Sequence, residues 1–242
     1  MEIVAGKRDT WTETVKVVHT DIDEPSILFV ENGVYYYDNG TDYSAVGLAD
    51  YTITNLVLDS KTTIVGDYAF QSFDSIKTID LSNCNNLTTI GVSAFAGTGI
   101  TEIVLPASVK YLKKSAFTGC KDLINVDLSA TQITHLNEYT FQGCTSLVNF
   151  AIPSTVTYLG ACVFKNCTSL RTVYIPASVT RIAGSAKVYS PFYGCKSNLK
   201  IYCGAKSAQD GWDSYWKYYS DSSSLSTTYN YSYEQYLTLI GG

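Results

Sequence analysis

Three short patterns recur along this chain at an almost constant interval, and that interval limits the possible folds more than any other feature. The first pattern is apolar, two variable, apolar, one variable, apolar. It reads Ile53/Leu56/Leu58, Ile76/Ile79/Leu81, Ile100/Ile103/Leu105, Leu123/Val126/Leu128, Leu147/Phe150/Ile152 and Leu170/Val173/Ile175. The first positions are 23, 24, 23, 24 and 23 residues apart, and a degraded seventh copy follows at Leu199–Cys203. The second pattern ends in phenylalanine: Ala69-Phe70, Ala94-Phe95, Ala116-Phe117, Thr140-Phe141, Val163-Phe164 and Pro191-Phe192. The third is a small turn and an apolar pair: Pro106…Val109…Leu112, Pro153…Val156…Leu159 and Pro176…Val179…Ile182.

A unit this short cannot bury an apolar face by itself. Stacked units can, because each covers the next and the core becomes continuous. The apolar positions of the first pattern then point inward, and the residues between them point outward from a parallel sheet. Proline ends the strand because it cannot donate to the ladder. The phenylalanine fills the wide side of each coil from a short helical turn.

These residues resemble a known family. The unit from Leu147 to Cys167, with Phe150, Ile152, Pro153, Val156, Leu159 and Val163-Phe164 in place, is similar to the BspA-type leucine-rich repeat, also called the Treponema pallidum type. The likeness covers about residues 50–204. It implies an α/β leucine-rich-repeat solenoid of about seven coils with a parallel sheet. It also implies a secreted or surface-attached protein of the kind made by host-associated bacteria and some protozoa. The family carries no catalytic motif, so the resemblance transfers no catalytic residue, cofactor or metal.

The ends should cap the stack, since open solenoid ends expose unpaired strand edges. Residues 1–49 read as an N-terminal β cap. Thr14–Val18 alternates weakly, and Ser26–Val30 and Val34–Tyr37 are expected to pair through the turn Glu31-Asn32-Gly33. Residues 205–242 read as a C-terminal cap. Trp212, Trp216 and Tyr219 fall at i, i+4 and i+7, which suggests a helix over Ala205–Tyr219. Tyr229–Ile240 is read as a last strand or helix. The first eight residues lack the apolar run of a secretion signal.

Composition narrows the function. Only 16% of residues are charged, the net charge is −5, and the longest basic run is Lys113-Lys114. A surface that tracks phosphates needs more positive charge, so nucleic acid is not an expected partner. No run approaches the roughly 20 apolar residues of a membrane span. The 20 tyrosines and many hydroxyl residues suit contact with proteins or sugars.

Seven cysteines invite a search for disulfides or metal. Cys120, Cys144, Cys167 and Cys195 each follow the repeat phenylalanine by three residues, which places them in one column. Buried free cysteine acts as a small hydrophobe, and that is the expected role; a bridge between adjacent coils stays open on distance alone. There is no Cys-x-x-Cys, and His19 and His135 are the two histidines, so a zinc site is not expected.

Two outward columns define the expected binding face. One is Asn55, Thr78, Glu102, Asn125, Asn149, Thr172 and Lys200. The other is Val57, Asp80, Val104, Asp127, Ala151, Tyr174 and Tyr202. The binding residues expected from them are Thr78, Asp80, Glu102, Asn125, Asp127, Asn149, Thr172, Tyr174, Lys200 and Tyr202, with Tyr174 and Tyr202 as adjacent aromatic anchors. Asp80 and Asp127 lie two coils apart, about 10 Å on the strand spacing. That nearly matches an inverting glycosidase pair, and calcium at the same carboxylates is a further reading. No nucleophile elbow, phosphate-cradling loop or His-Glu-x-x-His is present. The expected function is a non-catalytic adhesion or interaction module on a secreted or cell-surface protein, binding a host or neighbouring-cell protein. The alternative is a carbohydrate-binding or spacer module of a larger secreted protein.

Overall fold

A computed structural model describes residues 27–241. The strand expected at Thr14–Val18, and His19, lie outside the described residues.

The described chain opens with β1 (Ile27–Glu31), β2 (Val34–Asp38) and β3 (Tyr43–Leu48). β1 and β2 form an antiparallel hairpin. Asn32 and Gly33 close it with φ of 51° and 75°, as a tight two-residue hairpin turn requires. β3 is antiparallel to β2 and parallel to the solenoid strands that follow, so the hairpin is continuous with the stack. Tyr36, fully buried, accepts a hydrogen bond from the Asp59 N–H at 2.8 Å and so ties the hairpin to the first coil.

Each coil but the last then contributes two short strands. The first four coils hold β4 (Asn55–Val57) and β5 (Ile64–Val65), β6 (Thr78–Asp80) and β7 (Thr89–Ile90), β8 (Glu102–Val104) and β9 (Tyr111–Leu112), and β10 (Asn125–Asp127) and β11 (His135–Leu136). The next four hold β12 (Asn149–Ala151) and β13 (Tyr158–Leu159), β14 (Thr172–Ile175) and β15 (Arg181–Ile182), β16 (Lys200–Cys203) and β17 (Gly211–Trp212), and finally β18 (Ser226–Thr228). Helix α1 (Tyr233–Ile240) follows. The longer strands pair in parallel with partners one coil away, Asn125 opposite Glu102 and Tyr174 opposite Tyr202, and line one side of the solenoid. The two-residue strands line a second side, with His135 opposite Tyr158 and Tyr158 opposite Arg181.

Two devices end the longer strands. Coils three, five and six use Pro106, Pro153 and Pro176. Coils two and four use an aspartate whose carboxylate accepts the N–H two residues on: Ser82 to Asp80 at 2.9 Å and Ser129 to Asp127 at 2.8 Å. Either way the chain turns without wasting a ladder donor.

The core is a set of columns. Phe70, Phe95, Phe117, Phe141, Phe164 and Phe192 are all fully buried. Their rings stack at 5.5, 5.5, 5.6, 5.9 and 5.7 Å, with interplanar angles of 13° or less. Beside them runs the cysteine column. Each thiol donates to the phenylalanine carbonyl one coil back: Cys120 to Phe95 at 3.1 Å, Cys144 to Phe117 at 3.2 Å, Cys167 to Phe141 at 3.1 Å and Cys195 to Phe164 at 3.1 Å. All seven cysteines are buried free thiols. Past each phenylalanine the chain turns through left-handed backbone, at Gly143 with φ of +73°. A Cβ there would meet only Gly119 at 3.7 Å, so backbone conformation rather than space calls for glycine.

Two expectations for the C-terminal part are corrected. No helix covers Ala205–Tyr219; that stretch is strand β17 and turns. Trp212 takes the inward place that Leu159 and Ile182 hold in earlier coils, opposite Ile182. Trp216 extends the phenylalanine column, with its ring 6.4 Å from that of Phe192. The repeat itself spaces these two inward positions five apart, as in Leu159 and Phe164. Their spacing of four therefore looked helical although it is a shortened repeat. The coil count also rises from seven to eight, because β18 continues the parallel register beyond β16, with Ile201 opposite Thr227.

Truncating a middle rung of the phenylalanine column should be costly, since coils on both sides prevent collapse. Phe141→Ala is expected to lower the unfolding free energy by about 3–5 kcal/mol, read by urea denaturation. A loss below about 1 kcal/mol would mean that the stack does not hold the coils together. Burial also makes stability fall at alkaline pH. Desolvation raises the Cys120 thiol from 9.0 to about 11 and the Cys195 thiol from 9.0 to about 12. A raised folded value means that this contribution is intact below pH 9 and is lost as pH rises through about 11 to 12. Urea midpoints should drop above pH 9, and Cys120→Ala should show a smaller drop than the parent.

Candidate functional site

The outward face of the longer strands is divided into two parts. Over coils one to four it is open. Asn55, Thr78, Glu102 and Asn125 are exposed, as are Val57, Asp80, Val104 and Asp127. Val57 is 46% exposed and Val104 63%. These two valines stand among the carboxylates of Asp80, Glu102 and Asp127. Strand pairing holds the residues in place, since β4 pairs with β6 and β8 with β10.

Over coils five to seven the same face is covered. The structure does bring Tyr174 and Tyr202 side by side, but they are only 6% and 9% exposed. Their expected role as open anchors is therefore corrected. Helix α1 lies over them, begun by a capping box at Ser232 and Gln235 and ended by Gly241 in left-handed conformation. Tyr236 of α1 is fully buried against both rings, at 5.4 and 6.0 Å. Its hydroxyl lies 3.0 Å from the Thr172 hydroxyl and donates to the Phe150 carbonyl at 3.3 Å. Tyr233 packs on Tyr174 at 5.4 Å and Tyr231 on Tyr202 at 4.7 Å. Burial raises the phenol pKa of Tyr174, Tyr202 and Tyr236. Asn149 and Thr172 are half-buried, with the Thr172 hydroxyl donating to Asn149 Oδ1 at 2.8 Å. Lys200 stays exposed at the rim. A recess of about 490 Å³ opens beside α1, between Asn149, Arg171, Lys200 and Leu239. A second, of about 370 Å³, lies on the flank among Ile124, Arg171, Lys196 and Asn198. Arg171, Lys196 and Asn198 are not among the residues expected from the sequence.

The two aspartates differ from an acid–base pair. Each is occupied in ending its strand, and neither recess reaches them. The Ser82 side chain and N–H hold the Asp80 carboxyl below the usual carboxylate range. A glycosidase general acid needs the opposite shift. Among the described residues, no three His, Cys, Asp or Glu side chains are grouped so as to hold a metal ion.

The second side of the solenoid carries a column absent from the expected sites. Tyr111, His135, Tyr158 and Arg181 project outward from β9, β11, β13 and β15 in successive coils. Tyr111 is 57% exposed, and His135 and Arg181 are exposed. The His135 and Tyr158 rings are 5.4 Å apart, and the Arg181 guanidinium lies 5.3 Å from the Tyr158 ring centre. The signal was present in the third repeat pattern. The residue just before its last apolar position must face outward, and in four coils running it is aromatic, imidazole or cationic.

A stack of parallel two-strand coils with an inward leucine, isoleucine or valine column is a leucine-rich-repeat solenoid. Residues 63–200 match the BspA-type leucine-rich-repeat region in six copies, and the chain belongs to that family. Among solved structures it is similar to the leucine-rich-repeat protein of T. pallidum, with a TM-score of 0.60 and 21% identity over 77% of this chain and 89% of that one. It is also similar to the pneumococcal vaccine antigen PcpA, with a TM-score of 0.52 and 16% identity over 90% of this chain and 71% of that one. A leucine-rich cell surface protein of Faecalibacterium prausnitzii A2-165 aligns at 22% identity and a TM-score of 0.49, over 82% of this chain and 43% of that one. No curated protein matches the sequence. No described helix is long and apolar enough to cross a membrane.

If α1 is what closes the C-terminal half of the strand face, Tyr236→Ala should reopen it. Nitration by tetranitromethane is expected to be slow at Tyr174 and Tyr202 in the parent and fast in the variant, read by mass spectrometry. Equal rates would show that the helix does not shield them.

Proposed function

We propose that the chain is a non-catalytic binding module of a secreted or cell-surface protein, and that it holds a host or neighbouring-cell protein on the open strand face of coils one to four. The observation that carries this reading is the pair of exposed valines, Val57 and Val104, set among Asp80, Glu102 and Asp127 on a rigid sheet. Along the column the valines alternate with Asp80 and Asp127, so apolar and charged contacts are both offered to a partner. A face held by strand pairing also loses little freedom on binding, which lowers the entropic cost. The ring of carboxylates favours a partner with a basic patch. Membership of the BspA-type leucine-rich-repeat family is consistent with that location. Thr172, Tyr174 and Tyr202 then serve mainly as the seat of α1.

The test is binding of the immobilised chain to a panel of extracellular-matrix proteins, with Val104→Arg alongside. Saturable binding to one protein, weakened at least about tenfold by the substitution, is the expected result. Val104 is exposed, so the variant should keep the parent melting curve. Binding that survives Val104→Arg and Val57→Arg together would remove the contact from this face.

A further inference from the structure

The second side of the solenoid has the opposite character to the strand face. Around the column of Tyr111, His135, Tyr158 and Arg181, the exposed cations are Lys110, Lys113, Lys114 and Arg181, and the nearby carboxylates are Glu138, half-buried, and Asp213, exposed in the next coil and accepting the Gly184 N–H at 2.8 Å. Glu138 accepts from the Tyr158 hydroxyl at 3.4 Å. Lys113 reaches over the Tyr111 ring at 5.5 Å and Lys114 over the Tyr139 ring at 5.4 Å. The column is rigid and continuous. β11, β13 and β15 are paired, and β9 is tied to the next coil by the Gln132 N–H on the Val109 carbonyl at 2.9 Å and by the Asn137 side-chain amide on the Leu112 carbonyl at 2.6 Å. A rail of exposed hydroxyls, Thr134, Thr157 and Thr180, runs beside it.

We propose that this column binds a linear polysaccharide of alternating uronic acid and neutral sugar, laid along the solenoid axis. Tyrosine faces offer the polarisable surface on which the C–H face of a pyranose packs. Tyr111 and Tyr158 are two rungs apart, about 10 Å at the strand spacing, which is close to the length of a disaccharide. The cations sit at the two ends of the column, with aromatic rings between them. Charges spaced along the ligand fit that layout. Arg181 presents a planar fork suited to a carboxylate. A densely sulfated chain would instead bring negative charge against Glu138. The column lacks exposed aliphatic side chains along its four coils, so it offers a protein partner little to bury. The same aromatic and cationic groups could stack single-stranded nucleic acid, but a phosphate at every nucleotide needs a denser run of positive charge than the separated cations of this column supply.

The experiment titrates the full chain with an octasaccharide of alternating glucuronic acid and N-acetylglucosamine, by calorimetry at low salt. Chitin and heparin octasaccharides and a uridine oligonucleotide are run in parallel. Saturable binding to the uronate octasaccharide, tighter than to the other three, is the expected result. Tyr111→Ala and Arg181→Gln should each weaken it about five- to tenfold, with unchanged melting curves because both side chains are exposed. Val104→Arg should leave it unchanged, so the outcome is separate from that of the strand face. No binding to the uronate octasaccharide, binding indifferent to both column variants, or tighter binding of heparin, chitin or the oligonucleotide would each overturn the proposal.

Discussion

Each coil is too thin to hold an interior of its own, so everything in this molecule depends on contact between one coil and the next. The stacked phenylalanine rings, 5.5 to 5.9 Å apart, set that contact on the wide side. The thiols set it again beside them, because each closes on the carbonyl of the coil before. Neither column would work in isolation. A phenylalanine ring left without its neighbour would face water, and each carbonyl, which already accepts a backbone N–H from its own coil, gains from the thiol a second bond that reaches the next coil. The consequence is a rod whose sides are set rung by rung, with outward residues held in straight files.

Those files make the surface legible as columns, and they also explain why the sides differ. On the strand face, Asp80 and Asp127 alternate with prolines as strand terminators, so part of the acidity there is a by-product of how the chain turns. On the second side, the outward position is free of that duty. Tyr111, His135, Tyr158 and Arg181 are not needed to end a strand or to fill the core. Chemistry placed there has no structural task to explain it, which is why the column draws attention as a site.

The C-terminal helix changes what the strand face can do. A buried tyrosine costs little when its hydroxyl has partners, and Tyr236 finds them on Thr172 and the Phe150 carbonyl. The outward aromatic end of the file is thereby converted into a small second core, with Tyr174 and Tyr202 packed under α1. The open part of the face is confined to the first four coils.

The period alone specified the solenoid, the direction of each apolar residue, the outward files and the adjacency of Tyr174 and Tyr202, because a side-chain alternation of two in a strand and a constant coil length leave no other arrangement. The cysteine column followed from the same arithmetic. What the period could not reveal was anything that breaks it. Trp212 and Trp216 sit four apart where the repeat would place them five apart, and local spacing then resembled a helix. The folding of α1 back over coils five to seven joins Tyr236 to Thr172, 64 residues away. Such a contact leaves no periodic trace, since it depends on the shape and hydrogen-bonding groups of a surface that exists only once the coils have stacked. Which outward residues are open and which are covered was therefore decided by the tertiary structure.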